Sequence, residues 1–177
     1  MPDERLLTPV KERTSSPVIG IKGNSIKKLY LYSMQGPANI LLADDDDDDR
    51  LLFTDVMREY SKEANLTFAH NGEHLMTILR AGQLPDVLFL DLNMPLKNGM
   101  ECLEEIRNDE KMKDLPVVIF STSTHPGTIN QMYDIGAHLY VRKPNDFNAL
   151  RRAIHEVLRK DWGKPVRPPK EDFVLRV

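Results

Sequence analysis

Asp91 ends the apolar run Val87-Leu88-Phe89-Leu90 and is followed by Leu92-Asn93-Met94-Pro95. A carboxylate in that position is a nucleophile or a cation ligand, if the fold aims it. Two other segments end in matching chemistry. Asn39-Ile40-Leu41-Leu42-Ala43 runs into an unbroken stretch of aspartates, Asp44 to Asp49, and Leu139-Tyr140-Val141-Arg142 runs into Lys143-Pro144. Hard divalent cations prefer oxygen ligands, which clustered carboxylates provide. An ammonium group neutralises a phosphoryl oxygen. One nucleophilic carboxylate, a cluster of acids and one lysine form a constellation for a divalent metal and a phosphoryl group.

The elements that must position these groups follow from periodicity. The run before Asp91, bounded by Pro85-Asp86 and Pro95, reads as a strand buried on both faces. Further strands are expected at about 39–44, 66–70, 117–121 and 138–142, with the third at 86–91. Helices alternate with them. The first, about 47–62, turns Leu52, Phe53, Val56 and Tyr60 inward; its aspartate-rich start suits capping and the helix dipole. The second begins after Asn71-Gly72, carries Leu75, Ile78 and Leu79 inward and stops near Gly82. The third follows Gly99 with Met100, Leu103 and Ile106 inward. The fourth starts near Pro126 and carries Ile129, Met132, Tyr133 and Ile135. The fifth, about 146–160, buries Phe147, Leu150, Ile154, Val157 and Leu158. Five βα units imply an α/β fold with a doubly wound parallel sheet and right-handed crossovers. A flavodoxin-like order 2-1-3-4-5 places the ends of strands 1 and 3 at the switch point, where Asp44, Asp45 and Asp91 meet.

Composition narrows the class. The chain has 177 residues and a net charge of -3, enough for one domain with a sizeable core and tails. Residues 1–37 hold six basic and three acidic residues, a net +3, which leaves -6 for the rest. That acidic body opposes binding to nucleic acid. No apolar stretch reaches the roughly 20 residues of a membrane span, and no signal peptide is apparent, so the expected location is cytoplasmic, away from the membrane. Cys102 is the sole cysteine. It excludes an intrachain disulfide, suits a reducing compartment and reads as a buried, inert thiol. The five histidines show no metal-ligand spacing. Residues 1–37 read as a disordered basic leader, with Met34 as an alternative translation start. Residues 38–160 read as the domain. Residues 161–177 read as a loose C-terminal tail, whose apolar end, Phe173-Val174-Leu175, is able to dock on the domain or pair with an edge strand.

From residue 38 to 160 the chain resembles the receiver domain of bacterial two-component response regulators, of the stand-alone type. The matching features are the acids after strand 1, Asp91 in Leu-Asp-Leu-Asn-Met-Pro, Gly99 opening the third helix, Ser121 ending strand 4, and Lys143-Pro144 after strand 5. The resemblance implies phosphoryl transfer from a histidine kinase or histidine phosphotransfer protein onto Asp91. It implies Mg²⁺ (or Mn²⁺) held by Asp45, Asp91 and the main-chain carbonyl of Asn93, with Asp44 acting directly or through water. Lys143 and Ser121 would each contact a phosphoryl oxygen. Tyr140 stands where the family carries an aromatic ring that shifts inward on activation. The resemblance further implies a downstream protein target, with Ile129, Tyr133, Tyr140 and the outer side of the last helix as partner surface, and self-pairing through the fourth helix and fifth strand as a route to a homodimer. The departure is the length of the aspartate run. Counting from Arg50 favours Asp44 and Asp45 as the family pair over a register that includes Asp46, and Asp47, Asp48 and Asp49 read as a solvated helix start.

Two competing functions remain in view. An aspartyl-phosphate phosphatase of the haloacid dehalogenase type needs a second acid two residues after its nucleophile, and that position is Asn93, so the chain is read as a signalling protein and not an enzyme. A degenerate receiver-like module that binds partners independently of phosphorylation would be expected to have lost site residues, and here every one is filled.

Overall fold

The computed structural model describes residues 37–60, 64–163 and 167–176. The leader expected at 1–37 lies outside them, save its last residue. Strands β1 (Asn39–Ala43), β2 (Asn65–Ala69), β3 (Val87–Leu90), β4 (Val117–Ser121) and β5 (Leu139–Arg142) alternate with helices α1 (Asp47–Tyr60), α2 (Gly72–Arg80), α3 (Gly99–Asn108), α4 (Pro126–Ile135) and α5 (Phe147–Leu158). All pairings are parallel, in the order β2-β1-β3-β4-β5. This is the doubly wound, flavodoxin-like architecture that the alternation implies.

Side chains of a strand alternate between faces, so the three central strands feed two separate cores. Leu41, Leu88, Leu90 and Ile119 pack with Leu75 and Leu79 of α2, Leu103 and Ile106 of α3 and Met132 of α4. Ile40, Leu42, Phe89, Val118 and Phe120 pack with Phe53 and Val56 of α1 and Ile154 and Val157 of α5. Phe53, Phe89 and Phe120 meet edge to face at centroid separations of 4.9 to 6.0 Å, a geometry that aligns the positive edge of one ring with the face of another.

Helix ends follow local chemistry. Asn71 caps α2 by accepting the His74 N–H at 2.8 Å. Asn98 and Glu101 form a reciprocal capping box on α3. Gly136 ends α4 at φ 119°, in the left-handed region. Gly99 answers a different need: a Cβ there would lie 2.0 Å from the Asp91 carbonyl oxygen. The close approach of α3 to the Asp91 backbone admits only hydrogen at this position.

Three expectations need correction. Leu52 faces solvent, because the buried stripe of α1 runs through Phe53, Val56 and Met57 and Leu52 lies one residue off it. Phe147 is also exposed, at the first turn of α5. Residues 167–176 of the C-terminal segment are not a loose tail. Phe173 is buried, the Tyr140 N–H donates to the Phe173 carbonyl at 2.8 Å, and the Leu175 N–H donates to the Tyr140 carbonyl at 2.8 Å. The segment therefore adds a short parallel bridge to the free edge of β5. It covers Tyr140, so the face read from sequence as open partner surface carries this chain's own C-terminal residues.

Candidate functional site

Sheet register brings the acidic groups together. β1 and β3 are neighbours, Ala43 pairs with Leu90, and the Asp91 N–H donates to the Ala43 carbonyl at 2.9 Å. Asp44 and Asp91 are thus adjacent strand tips at the switch point. Asp44, Asp45 and Asp91 each offer a carboxylate oxygen, and these oxygens lie within 4.8 Å of one another. Asp44 and Asp91 are buried and Asp45 is exposed, so the cluster opens to solvent on one side. Three hard oxygen donors open on one side fit a divalent cation that keeps some of its waters.

The Leu92 N–H holds Asp91 Oδ1 at 2.8 Å. Lys143, immediately after β5, reaches across the tips of the sheet. Its Nζ lies 2.7 Å from Asp44 Oδ2, 2.7 Å from Asp49 Oδ2 and 3.6 Å from Asp91 Oδ2. Burial alone would lower the Lys143 ammonium. The hydrogen bonds to Asp44 and Asp49 and the Asp91 charge outweigh it and push it up to about 12. At Asp44 the balance reverses. Burial raises its carboxyl above the usual range, and the hydrogen bond from Lys143 offsets this only in part.

Ser121 is buried at the tip of β4, where its hydroxyl accepts the Ser123 N–H at 3.3 Å and its carbonyl accepts the Lys143 N–H at 3.0 Å. Asn93 lies two residues beyond Asp91, with its side chain exposed. Tyr140 sits beside Ile119 in the sheet register. Its ring is enclosed, and its hydroxyl donates to the Ser123 carbonyl at 2.9 Å. The structure therefore gathers Asp44, Asp45, Asp91 and Lys143 directly, with Ser121 on the next strand and Tyr140 connected to it through Ser123.

Two residues of the site lay outside the sequence reading. Asp49 is not a solvated helix start: one of its oxygens holds Lys143. Arg50 is buried, donates to the Asp44 carbonyl at 2.5 Å and pairs with Asp47, so it clamps the acidic loop from beneath. Asp46 caps α1, accepting the Asp48 N–H at 2.8 Å and the Asp49 N–H at 3.2 Å. That occupation separates it from the carboxylates facing Asp91. Cys102 is buried, and its thiol is pushed up to about 12 by burial, which keeps it protonated and inert.

The model of the response regulator receiver domain matches residues 40–155. The response regulator Rcp1 of Synechocystis sp. is 27% identical over 139 residues, covering 75% of this chain and 94% of that protein. The crystal structure of the Mn(2+)-bound form of Rcp1 is similar with a TM-score of 0.66 at 25% identity, over 75% of this chain and 100% of that one. The phosphorylated cyanobacterial phytochrome response regulator RcpA gives a TM-score of 0.67 at 28% identity, over 75% of this chain and 99% of that one.

Proposed function

The chain belongs to the response regulator receiver domain family, and from that premise we propose that it accepts a phosphoryl group on Asp91 from a histidine kinase or histidine phosphotransfer protein. Receiver domains of this family are signalling modules that work with such donors and with downstream targets. The observation that carries the proposal is the meeting of Asp44, Asp45 and Asp91 within 4.8 Å, with the Lys143 ammonium 3.6 Å from Asp91. The likeness to a Mn(2+)-bound and to a phosphorylated response regulator supports it.

Phosphoryl transfer asks a protein for position and charge, with little further covalent chemistry. The Leu92 N–H engages Oδ1 of Asp91, which leaves Oδ2 to attack phosphorus. A phosphorus–oxygen bond forms, the phosphorus–nitrogen bond to the donor imidazole breaks, and its electron pair leaves with the imidazole. The product is an acyl phosphate. Lys143 neutralises one phosphoryl oxygen and Ser121 donates its hydroxyl to another. Asp45, Asp91 and the Asn93 carbonyl would hold Mg²⁺ or Mn²⁺, with Asp44 binding directly or through water. Bound there, the cation supplies positive charge opposite the phosphoryl oxygens.

The signal follows from Ser121. Drawn toward the phosphoryl group, it vacates space at the tip of β4 that the enclosed Tyr140 ring fills. The loaded site and the enclosed ring thus belong to one state, and the phosphoryl group shifts the population toward it. The output is contact with a downstream protein.

Intact-mass measurement after treatment with acetyl phosphate and Mg²⁺ tests the reading. The wild type should gain one phosphoryl group and Asp91→Asn none. Undiminished labelling of the variant would end the proposal. An unlabelled wild type that still bound its target would favour a phosphorylation-independent interaction module.

A further inference from the structure

We infer that residues 167–176 are an intramolecular ligand of the α4–β5 face, and that their docking and the loading of Asp91 stabilise each other through Tyr140. The inference rests on the reading of Asp91 as acceptor and extends it to a segment beyond the matched residues 40–155.

The docking combines three kinds of contact. The first is backbone pairing. The Tyr140 N–H and carbonyl each bond to the segment at 2.8 Å, through the Phe173 carbonyl and the Leu175 N–H. The second is aromatic burial. Phe173 is 1% exposed and meets Tyr133 at 5.1 Å and Tyr140 at 6.0 Å, in both cases edge to face. The third is cationic. The Arg167 guanidinium lies 4.2 Å from the Tyr133 ring centroid, and Lys170 Nζ lies 5.5 Å from it and 3.6 Å from Asp134. Tyr133 returns a hydrogen bond from its hydroxyl to the Pro168 carbonyl at 3.3 Å. Edge pairing with a buried side chain between is the way an extended peptide binds to a sheet edge, and here the peptide is part of the chain.

The coupling runs through two connections. Phe173 packs edge to face on the enclosed Tyr140 ring at 6.0 Å, so the docked segment favours that position of the ring. On its other side the Tyr140 hydroxyl bonds the Ser123 carbonyl, and the Ser123 N–H bonds Ser121, the residue drawn to the phosphoryl group. A cavity of about 530 Å³ gives the second connection. Its lining includes Arg142, Lys143 and Pro144 together with Glu171, Val174 and Leu175. The segment and Lys143 thus border one cavity. Two events that both require the enclosed Tyr140 must favour each other by the same factor, because binding free energies are reciprocal.

The test uses the full chain with beryllofluoride as the phosphoryl mimic on Asp91. Loading should slow hydrogen exchange of the Tyr140 and Leu175 amides by about fivefold or more, and Phe173→Ala should weaken beryllofluoride binding by the same factor, the lower end of ordinary coupling. Leu175→Pro removes the N–H donated to Tyr140 while keeping Phe173, and should weaken binding in the same direction. It keeps the inference testable if Phe173→Ala fails to fold. Equal affinity in the wild type and the folded variants overturns the inference and leaves the acceptor reading intact, as does faster exchange on loading. A wild type that does not load overturns the acceptor reading, and this inference with it.

Discussion

Lys143 stands closer to Asp44 and Asp49 than to Asp91, the proposed nucleophile, 2.7 Å against 3.6 Å. The ammonium keeps a third N–H for a phosphoryl oxygen, but its two bonded carboxylates draw it away from Asp91. Asp49 is the better exposed of the two carboxylates and is one charge more than three cation-facing acids require. Asp49→Asn should therefore speed phosphorylation by an anionic donor by about fivefold, the effect of removing roughly 1 kcal/mol of repulsion. Asp48→Asn, whose side chain points to solvent, should change nothing. Equal rates for all three proteins, followed by intact mass over time, would show that Asp49 is a bystander. The same cluster sets a pH dependence. Asp44 is raised by burial, so the folded state holds its proton more tightly than the unfolded chain does. Charging Asp44 costs stability as pH rises from the ordinary carboxylate value through the raised one. A divalent cation competes with that proton, so Mg²⁺ affinity should climb with pH across the acidic range. At Mg²⁺ a hundredfold above its Kd, stabilisation should reach about 2.7 kcal/mol near neutrality. Calorimetry of the wild type, Asp45→Ala and Asp48→Ala decides this: only Asp45→Ala should lose the Mg²⁺ effect. Lys143 has the opposite sign. Pushed up to about 12, it stabilises the fold fully below its ordinary 10.5 and loses that contribution as pH rises through about 12.

The loop from β3 to α3 holds Asp91 in place by two devices, one favourable and one strained. Gly99 lets the helix approach the Asp91 carbonyl, so Gly99→Ala, with a Cβ that would sit 2.0 Å from that oxygen, should destabilise by about 3 kcal/mol or more. Leu96 is the strained one, held at φ 67° while 81% exposed. Left-handed backbone costs a leucine about 1–2 kcal/mol, and glycine gives back up to about 1 of that as entropy. Leu96→Gly should therefore gain about 0.5–1 kcal/mol in urea unfolding; a loss would mean that the exposed leucine makes contacts that outweigh the strain. Elements of this kind differ in how far a sequence reveals them. The five strands are apolar runs ending in punctuation, and from their alternation with helices the sheet order and the meeting of Asp44, Asp45 and Asp91 follow. Phe53, Val56 and Met57 recur at helical spacing and are legible as a stripe; Leu52 is equally apolar but lies one residue off it and faces solvent. Asp49 and Arg50 were hidden because a run of identical acids gives no contrast between a side chain that points back to the site and one that points away. Docking of Phe173-Val174-Leu175 was legible only as an option. Three apolar residues have no measurable period, and their partner, the edge of β5, lies some 30 residues away in the chain, as Tyr140 and Val174 record.

Across the whole molecule the two cores divide the labour. One joins the central strands to α1 and α5 through the Phe53-Phe89-Phe120 cluster. The other runs from α2 and α3 to α4, Tyr140 and Phe173. Close-packed aromatic groups have few alternative arrangements, so the first core is built to stay put. The second ends in a ring held by one hydroxyl bond and a docked segment, and that end of it is the part able to exist in two arrangements. Loading of Asp91 should accordingly displace amide resonances in β4, α4, β5 and residues 167–176, with far smaller changes in β2 and α2. Moving the enclosed state from one-tenth to nine-tenths of the population requires the phosphoryl group to favour it by about 80-fold, or about 2.6 kcal/mol. A charge-assisted hydrogen bond to Ser121 and a contact from Lys143, each worth on the order of 1.5–3 kcal/mol, are sufficient for that. An NMR comparison of the free and beryllofluoride-loaded protein, with Asp91→Asn as the control that should not respond, measures the pattern. Shifts confined to residues 44–50 and 91–93 would mean that the site loads without moving the rest of the fold. The proposed route to the α4–β5 face would then fail even though Asp91 accepts the group.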